Sequence, residues 1–445
     1  MREEAVEPRA EGPRGFDAVG MLTVYLVLLF AIPSNVTLTG LGAYGRPSLL
    51  WGLLLLGWWS VWRLQGNVAS GGWIRQPTRI AMTAFVIVAL ASFAQAMLRG
   101  QPADQVSPAM SAMVRLASWT GVFLVGLDGI GRTSDAARLL RRLVLSSALL
   151  STLGLLQFVM RRSLLDWVGF IPGLTYEAEE SVALRGMFAR ATGTATHPLE
   201  FGAVVVGTLP LCIAAAMSNG FRNSEKRLVR WWLPVAASVA VCLVSVSRSA
   251  IIGLAVAMLS SLPNMTRRAR YVLVVGAVVS VGVVSVAVPG MFSTVVSLFV
   301  GATDDPSTRS RADALSRVPE FLSASPVLGA GLGTFLPRYY IFDNQWVLTL
   351  VDLGVAGTLA LAAIFITSGW SALKASRSSA DHCTVKMGRS LVASVFTLAV
   401  LYMFFDAFAF PMSVGVLFLL SGLCGALHRV TAKRVVARHA LRGTE

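Results

Sequence analysis

The chain has 445 residues, 55% of them hydrophobic and only 14% charged, with a formal net charge of +15. Soluble domains carry roughly 25% charged residues. This composition excludes a soluble globular protein and predicts a polytopic helical membrane protein, whose spans need about 20 apolar residues each.

Residues 1–17 (MREEAVEPRAEGPRGFD) are polar and of mixed charge. They have no apolar core of a cleavable signal peptide and read as a short disordered cytoplasmic tail. Residues 18–430 read as one all-α transmembrane domain. Its twelve or so spans fall near 18–38, 47–63, 80–98, 110–127, 140–160, 198–218, 231–247, 249–263, 271–290, 344–373, 388–405 and 408–428.

Alternate connections hold the basic residues: Arg63, Arg75 and Arg79; Arg132, Arg138, Arg141 and Arg142; Arg222, Lys226, Arg227 and Arg230; Arg267, Arg268 and Arg270; Lys374, Arg377, Lys386 and Arg389. Arg429 and a basic tail at 431–445 close the series. The positive-inside rule places these connections and both termini in the cytoplasm. The excess charge is topological, which excludes a nucleic-acid partner and leaves membrane lipids as the bulk surroundings.

On the other face two connections are long, about 161–197 and 291–343. Long loops on a rigid scaffold often carry function. The second contains STRSRADALSRVPEFLSASP, a predicted short helix that Ser307 or Thr308 would cap. PVLGAGLGTF follows, and its glycines predict a tight turn packed near a site, not a nucleotide loop, because no strand precedes it.

Polar groups converge on this face at four places. In RATGTATHPLEFG, Arg190 and His197 precede a span and Glu200 sits in its first turn. In VSVSRSAIIG, Arg248 lies between two spans. Arg309 and Arg311 lie on the loop helix, and Asp343-Asn344 stand at the mouth of the next span. Arginines beside one or two carboxylates suit a lipid-linked phosphate or pyrophosphate, which arginine clamps with paired donors. A carboxylate then takes a proton from an attacking hydroxyl.

Each place has a plainer reading. Arg248 could snorkel to headgroups, Arg190 and Arg311 could be solvated, His197 could start a span, and Glu200 could favour a helix N-terminus. Asp304-Asp305 read as a turn and cap region, so no metal site and no cofactor are expected. The dispersed Cys212, Cys242, Cys383 and Cys424 and the four histidines give no ligand spacing either. Asp352 lies nine residues beyond Asp343, about 13 Å deeper if helical, which is too far to share a proton and suits a structural partner.

Taken in order, these places resemble the signature of the O-antigen ligase and polymerase family of bacterial membrane glycosyltransferases. The family's His/Asn-Pro element, S-R-[SG]-A hairpin, arginine-rich helix, P-L-G-x-G-x-G-x-F turn and H-N-x-x-L-x-x-L-x-E-x-G segment correspond here to RATGTATHPLEFG, SRSA, RSRADALSRVPEF, PVLGAGLGTF and DNQWVLTLVDLG. The match covers about residues 185–365.

The resemblance implies a GT-C-like, metal-independent enzyme in the bacterial cytoplasmic membrane. Its donor would be an undecaprenyl-pyrophosphate-linked glycan and its acceptor a glycan or glycolipid, with other polysaccharide-assembly proteins as further partners. Family arginines carry over to Arg190, Arg248 and Arg311, with Arg185 and Arg309 as neighbours. The family's histidine falls on Asp343, beside Asn344, so that Asp343 and Asn344 become the expected catalytic pair, with His197, Glu200 and Asp352 supporting. The aspartate favours a polysaccharide polymerase, or a ligase for an acceptor other than lipid A-core. Two other classes compete: a transporter or flippase, which calls for broken helices and charge near the midplane, and a noncatalytic assembly partner, which has no need of the arginines.

Overall fold

A chain in hydrocarbon must satisfy its backbone hydrogen bonds internally, so apolar runs of this length fold as helices. The computed structural model describes residues 17–65, 75–176, 184–185, 188–189, 191–223, 228–245, 247–287 and 306–442. Among them the helices are α1 (Ala18–Ala31), α2 (Pro47–Leu64), α3 (Pro77–Leu98), α4 (Ala103–Gly129), α5 (Thr133–Met160), α6 (Pro198–Met217), α7 (Leu233–Val244), α8 (Arg248–Ser261), α9 (Arg267–Ala287), α10 (Pro306–Leu322), α11 (Gln345–Arg377), α12 (His382–Leu401) and α13 (Pro411–Arg442).

A helix lies on each predicted apolar run, and α10 is the predicted loop helix. Seven helices, α3–α6 and α11–α13, are long and apolar enough to cross a membrane. Helix α1 and the stretch Val229–Val244 are apolar but shorter.

Several boundaries differ from the sequence reading: α4 and α5 each begin seven residues before the predicted span and α12 six, and three other differences are more telling. Helix α1 stops at Ala31, ahead of Pro33, and Val36–Leu38 (β1) pairs antiparallel with Leu174–Tyr176 (β2), Val36 opposite Tyr176. Here a sheet partner from the 161–197 connection claims residues that hydropathy assigns to the span. Ser307 and Thr308 already lie within helix α10, so neither caps it. Helix α13 continues to Arg442, through most of the predicted basic tail. The predicted N-terminal tail to residue 16 lies outside the described residues.

Helices α6 and α13 form the centre: 89% and 94% of their apolar windows are buried, against 33% for α3. Lipid supplies no hydrophobic drive between helices, so small residues set the crossings. Gly126 of α4 meets Gly422 of α13, where a Cβ on Gly422 would fall 2.6 Å from the Phe123 carbonyl oxygen. Gly121 of α4 packs on Gly52 of α2 in the same way.

At the end of the bundle that carries the basic connections, several arginines also tie helices together. Arg79 pairs with Asp128, whose Oδ2 accepts from Trp59 Nε1 at 2.9 Å. Arg429 Nη2 donates to the carbonyls of Asp128 and Ile130, both at 3.0 Å. Arg141 Nη1 donates to Gly220 O at 3.0 Å.

Candidate functional site

At the opposite end, α6 and α11 both begin against one connection, residues 402–410 between α12 and α13, and α8 packs on the end of α12. The chain into α6 is pinned first. Gln157, near the end of α5, accepts from Gly193 N at 2.7 Å and donates to Gly193 O at 2.9 Å. Thr194 Oγ1 donates to Phe30 O at 2.7 Å, while Ser34 N donates to Thr194 O at 2.8 Å.

His197 is the α6 N-cap. Its Nδ1 accepts from Leu199 N at 3.2 Å, and its ring lies 5.8 Å from Phe410. Glu200 is fully buried, and its two oxygens accept from Thr196 N (3.0 Å) and Met412 N (2.6 Å), with Arg46 of the α1–α2 connection acting on it electrostatically. Its carboxylate is thereby committed to holding the starts of α6 and α13 together.

Arg248 is the first residue of α8. Gly202 of α6 lets Ala250 approach, and Gly253 lies against Leu401 at the end of α12. Arg248 is five residues before Gly253, about 7 Å along the axis, which brings it level with the 402–410 connection.

Asp343 is half-buried with φ 48°, in the left-handed region that non-glycine residues seldom occupy, aspartate, asparagine and histidine more than others. Asn344 caps α11, its Oδ1 accepting from Trp346 N (3.0 Å) and Val347 N (3.3 Å). Three bonds tie this cap to the 402–410 connection: Asn344 N to Asp406 Oδ1 at 3.0 Å, Gln345 N to Tyr402 O at 2.8 Å, and Phe408 N to Gln345 Oε1 at 2.7 Å.

Below the cap α11 breaks at Gly354 (φ 66°, ψ −168°). The glycine turn fills the break. Val355 N donates to Pro326 O (2.9 Å), Ala356 N to Val327 O (3.1 Å), Ala330 N to Val351 O (3.0 Å) and Gly331 N to Asp352 O (2.8 Å). Gly329, Gly331 and Gly333 all have positive φ, and a Cβ on Gly329 would lie 2.4 Å from the Asp352 backbone. Only glycine fits there. The buried Asp352 carboxylate accepts from Gly333 N (2.9 Å) and Phe335 N (3.3 Å), so it anchors the turn from inside the bundle.

Between the turn, α4, the start of α11 and the 402–410 connection lies a cavity of about 280 Å³. Arg115, Gln345, Asp352 and Asp406 line it, beside the rings of Trp119, Phe335, Tyr340 and Phe408. Its rim is held to the start of α4, where Arg338 pairs with Asp104 and donates to the Tyr339 hydroxyl at 2.8 Å, and Gln105 donates to that hydroxyl at 2.5 Å. These bonds, Arg338 first, lower the Tyr339 pKa from its ordinary value.

The structure thus brings His197, Glu200, Arg248, Asp343, Asn344 and Asp352 to one end of the bundle. Arg190 lies outside the described residues. Arg185 is placed by its backbone on the short strand Leu184–Arg185, which pairs with Phe188–Ala189, and Arg309 and Arg311 by theirs on α10. Arg46, Arg115 and Asp406 escaped the sequence reading. Arg46 precedes a proline in an unremarkable connection, Arg115 sits within an apolar span, and Asp406 lies in the aromatic run FFDAFAF. A charged residue inside or capping an apolar run is the one signal that singles out the latter two. Among the described residues no three His, Cys, Asp or Glu side chains group as metal ligands.

Residues 233–362, from α7 through the break in α11, match the family described as O-antigen ligase. The chain has no match among curated proteins.

Proposed function

Given the O-antigen ligase match over α7–α11, we propose that this chain is a membrane glycosyltransferase of the GT-C type. It transfers or polymerises glycan from an undecaprenyl-pyrophosphate carrier onto an acceptor hydroxyl at the outer face of the bacterial cytoplasmic membrane. The observation that carries this reading is that the starts of α6 and α11 are tied to the 402–410 connection and the α13 start beyond it, with Asp343 at the start of α11 and Arg248 opening α8, which packs on the end of α12. Helix N-termini carry partial positive charge and favour phosphate.

In this reading Arg248, with Arg190 and Arg311 and their neighbours Arg185 and Arg309, holds the pyrophosphate. The acceptor oxygen attacks the anomeric carbon and its proton passes to Asp343. The carbon–oxygen bond to the carrier breaks, and undecaprenyl pyrophosphate leaves with its charge neutralised by the arginines. Asn344 orients Asp343 by fixing the start of α11. The cavity beside Asp343 suits an acceptor saccharide, offering flat aromatic faces and the planar polar groups of Arg115, Gln345 and Asp406.

One observation favours a second base. Asp406 lines that cavity and Asp343 does not, so Asp406 is the alternative carboxylate for the acceptor proton. The break in α11 is a feature of transporters, but here the glycine turn occupies it, which favours a rigid scaffold over a moving gate. Purified protein in liposomes with a lipid-linked donor should release undecaprenyl pyrophosphate and form a longer or transferred glycan. Movement of intact donor across the bilayer without release would establish a flippase instead.

A further inference from the structure

The opposite, basic end of the bundle holds a second cavity, of about 330 Å³, that the transfer reaction does not use. It lies where the end of α6, the 228–232 turn and the starts of α9 and α12 meet. Its lining is mixed: Arg268, His382 and Lys386 stand with the apolar Met217, Val229, Trp232 and Val272.

Lys386 is 9% exposed, and among the described residues its ammonium makes one hydrogen bond, to Asn264 O at 2.5 Å. An ammonium has three donors. A buried cation with one neutral acceptor leaves charge to be balanced. The neighbouring carboxylate does not balance it: Asp381 accepts from Thr384 N (3.0 Å), Thr384 Oγ1 (2.6 Å) and Asn223 Nδ2 (3.1 Å). The apolar part of the lining is exposed, Val229 by 80% and Val272 by 44%. A soluble anion has no use for such a surface; an acyl chain does.

We infer that this cavity binds the phosphate headgroup of an anionic glycerophospholipid from the leaflet at the basic end. The phosphate oxygens sit between Arg268 and Lys386, and an acyl chain runs along Val229 and Val272. Basic pockets between helices at the cytoplasmic side of membrane bundles have the charge and shape for such headgroups.

The inference is independent of the transfer reaction and is tested by lipid retention. The purified full chain, delipidated and incubated with phosphatidylglycerol or phosphatidylcholine, would be examined by native mass spectrometry. Phosphatidylglycerol should be retained preferentially, and each of Arg268→Gln and Lys386→Met should weaken that retention about fivefold while leaving phosphatidylcholine unchanged. Arg268 is exposed, so its variant reports binding even if Lys386→Met folds poorly. Glycerol phosphate, lacking the acyl chain, should not compete at equal concentration. Equal retention by parent and Arg268→Gln, or full competition by glycerol phosphate, would overturn the assignment.

Discussion

Asp343 combines a rare backbone conformation with the position expected of a base. Strained residues of this kind, at a cost of order 1–3 kcal/mol, cluster at functional sites. The conformation makes the decisive experiment clean, because asparagine and histidine also tolerate positive φ. Asp343→Asn should fold normally, bind donor and lose about 10²–10⁴-fold in transfer rate, while Asp343→His retains more activity. Parallel assay of Asp406→Asn discriminates the two carboxylates. Full activity in Asp343→Asn with a comparable loss in Asp406→Asn would move the base to Asp406. For Arg248 the expectation concerns binding: Arg248→Ala should weaken donor affinity by about 2–5 kcal/mol if the pair is desolvated. Lysine should rescue poorly for want of the planar fork, as donor titration would reveal.

At the scale of elements, the broken α11 is the most demanding feature. The turn and the two halves of the helix share four backbone hydrogen bonds, and a Cβ on Gly354 would lie 2.3 Å from the Val327 carbonyl group. Gly354→Ala should therefore separate the turn from the helix and cost on the order of 3 kcal/mol or more, through both overlap and positive φ. A lowered thermal midpoint in detergent would register it. Gly276→Ala in α9, where an added Cβ meets nothing within 4 Å, is the control and should leave the midpoint unchanged or raise it slightly.

For the whole molecule the orientation decides which end faces the outside of the cell. Cysteines introduced in 165–185 and 295–335 should be labelled from outside intact cells, and those in 220–230 and 376–386 should not. The reversed pattern would place the candidate site in the cytoplasm and exclude an outer-face transferase. On the proposed reading the arginines supply the positive charge, so the reaction should also survive chelation. Activity abolished by EDTA and restored by magnesium or manganese would redirect attention to Asp304 and Asp305.

The sequence by itself determined the membrane class, the approximate position of each helix and the ordered motifs from RATGTATH to DNQWVLTLVDLG. Those properties are local: hydropathy over one run, charge in one connection, glycines in one turn. The same locality explains the misplaced end of α1, where Pro33 and a strand partner from a distant loop outweigh apolar character. Only the tertiary structure decided that Glu200 clamps Met412, 212 positions away, that Asp352 anchors the glycine turn, and that Arg46, Arg115 and Asp406 join the same end of the bundle. A carboxylate's partners are chosen by which backbone N–H groups the packing leaves within about 3 Å, and helix crossings set by small residues are what bring those groups together.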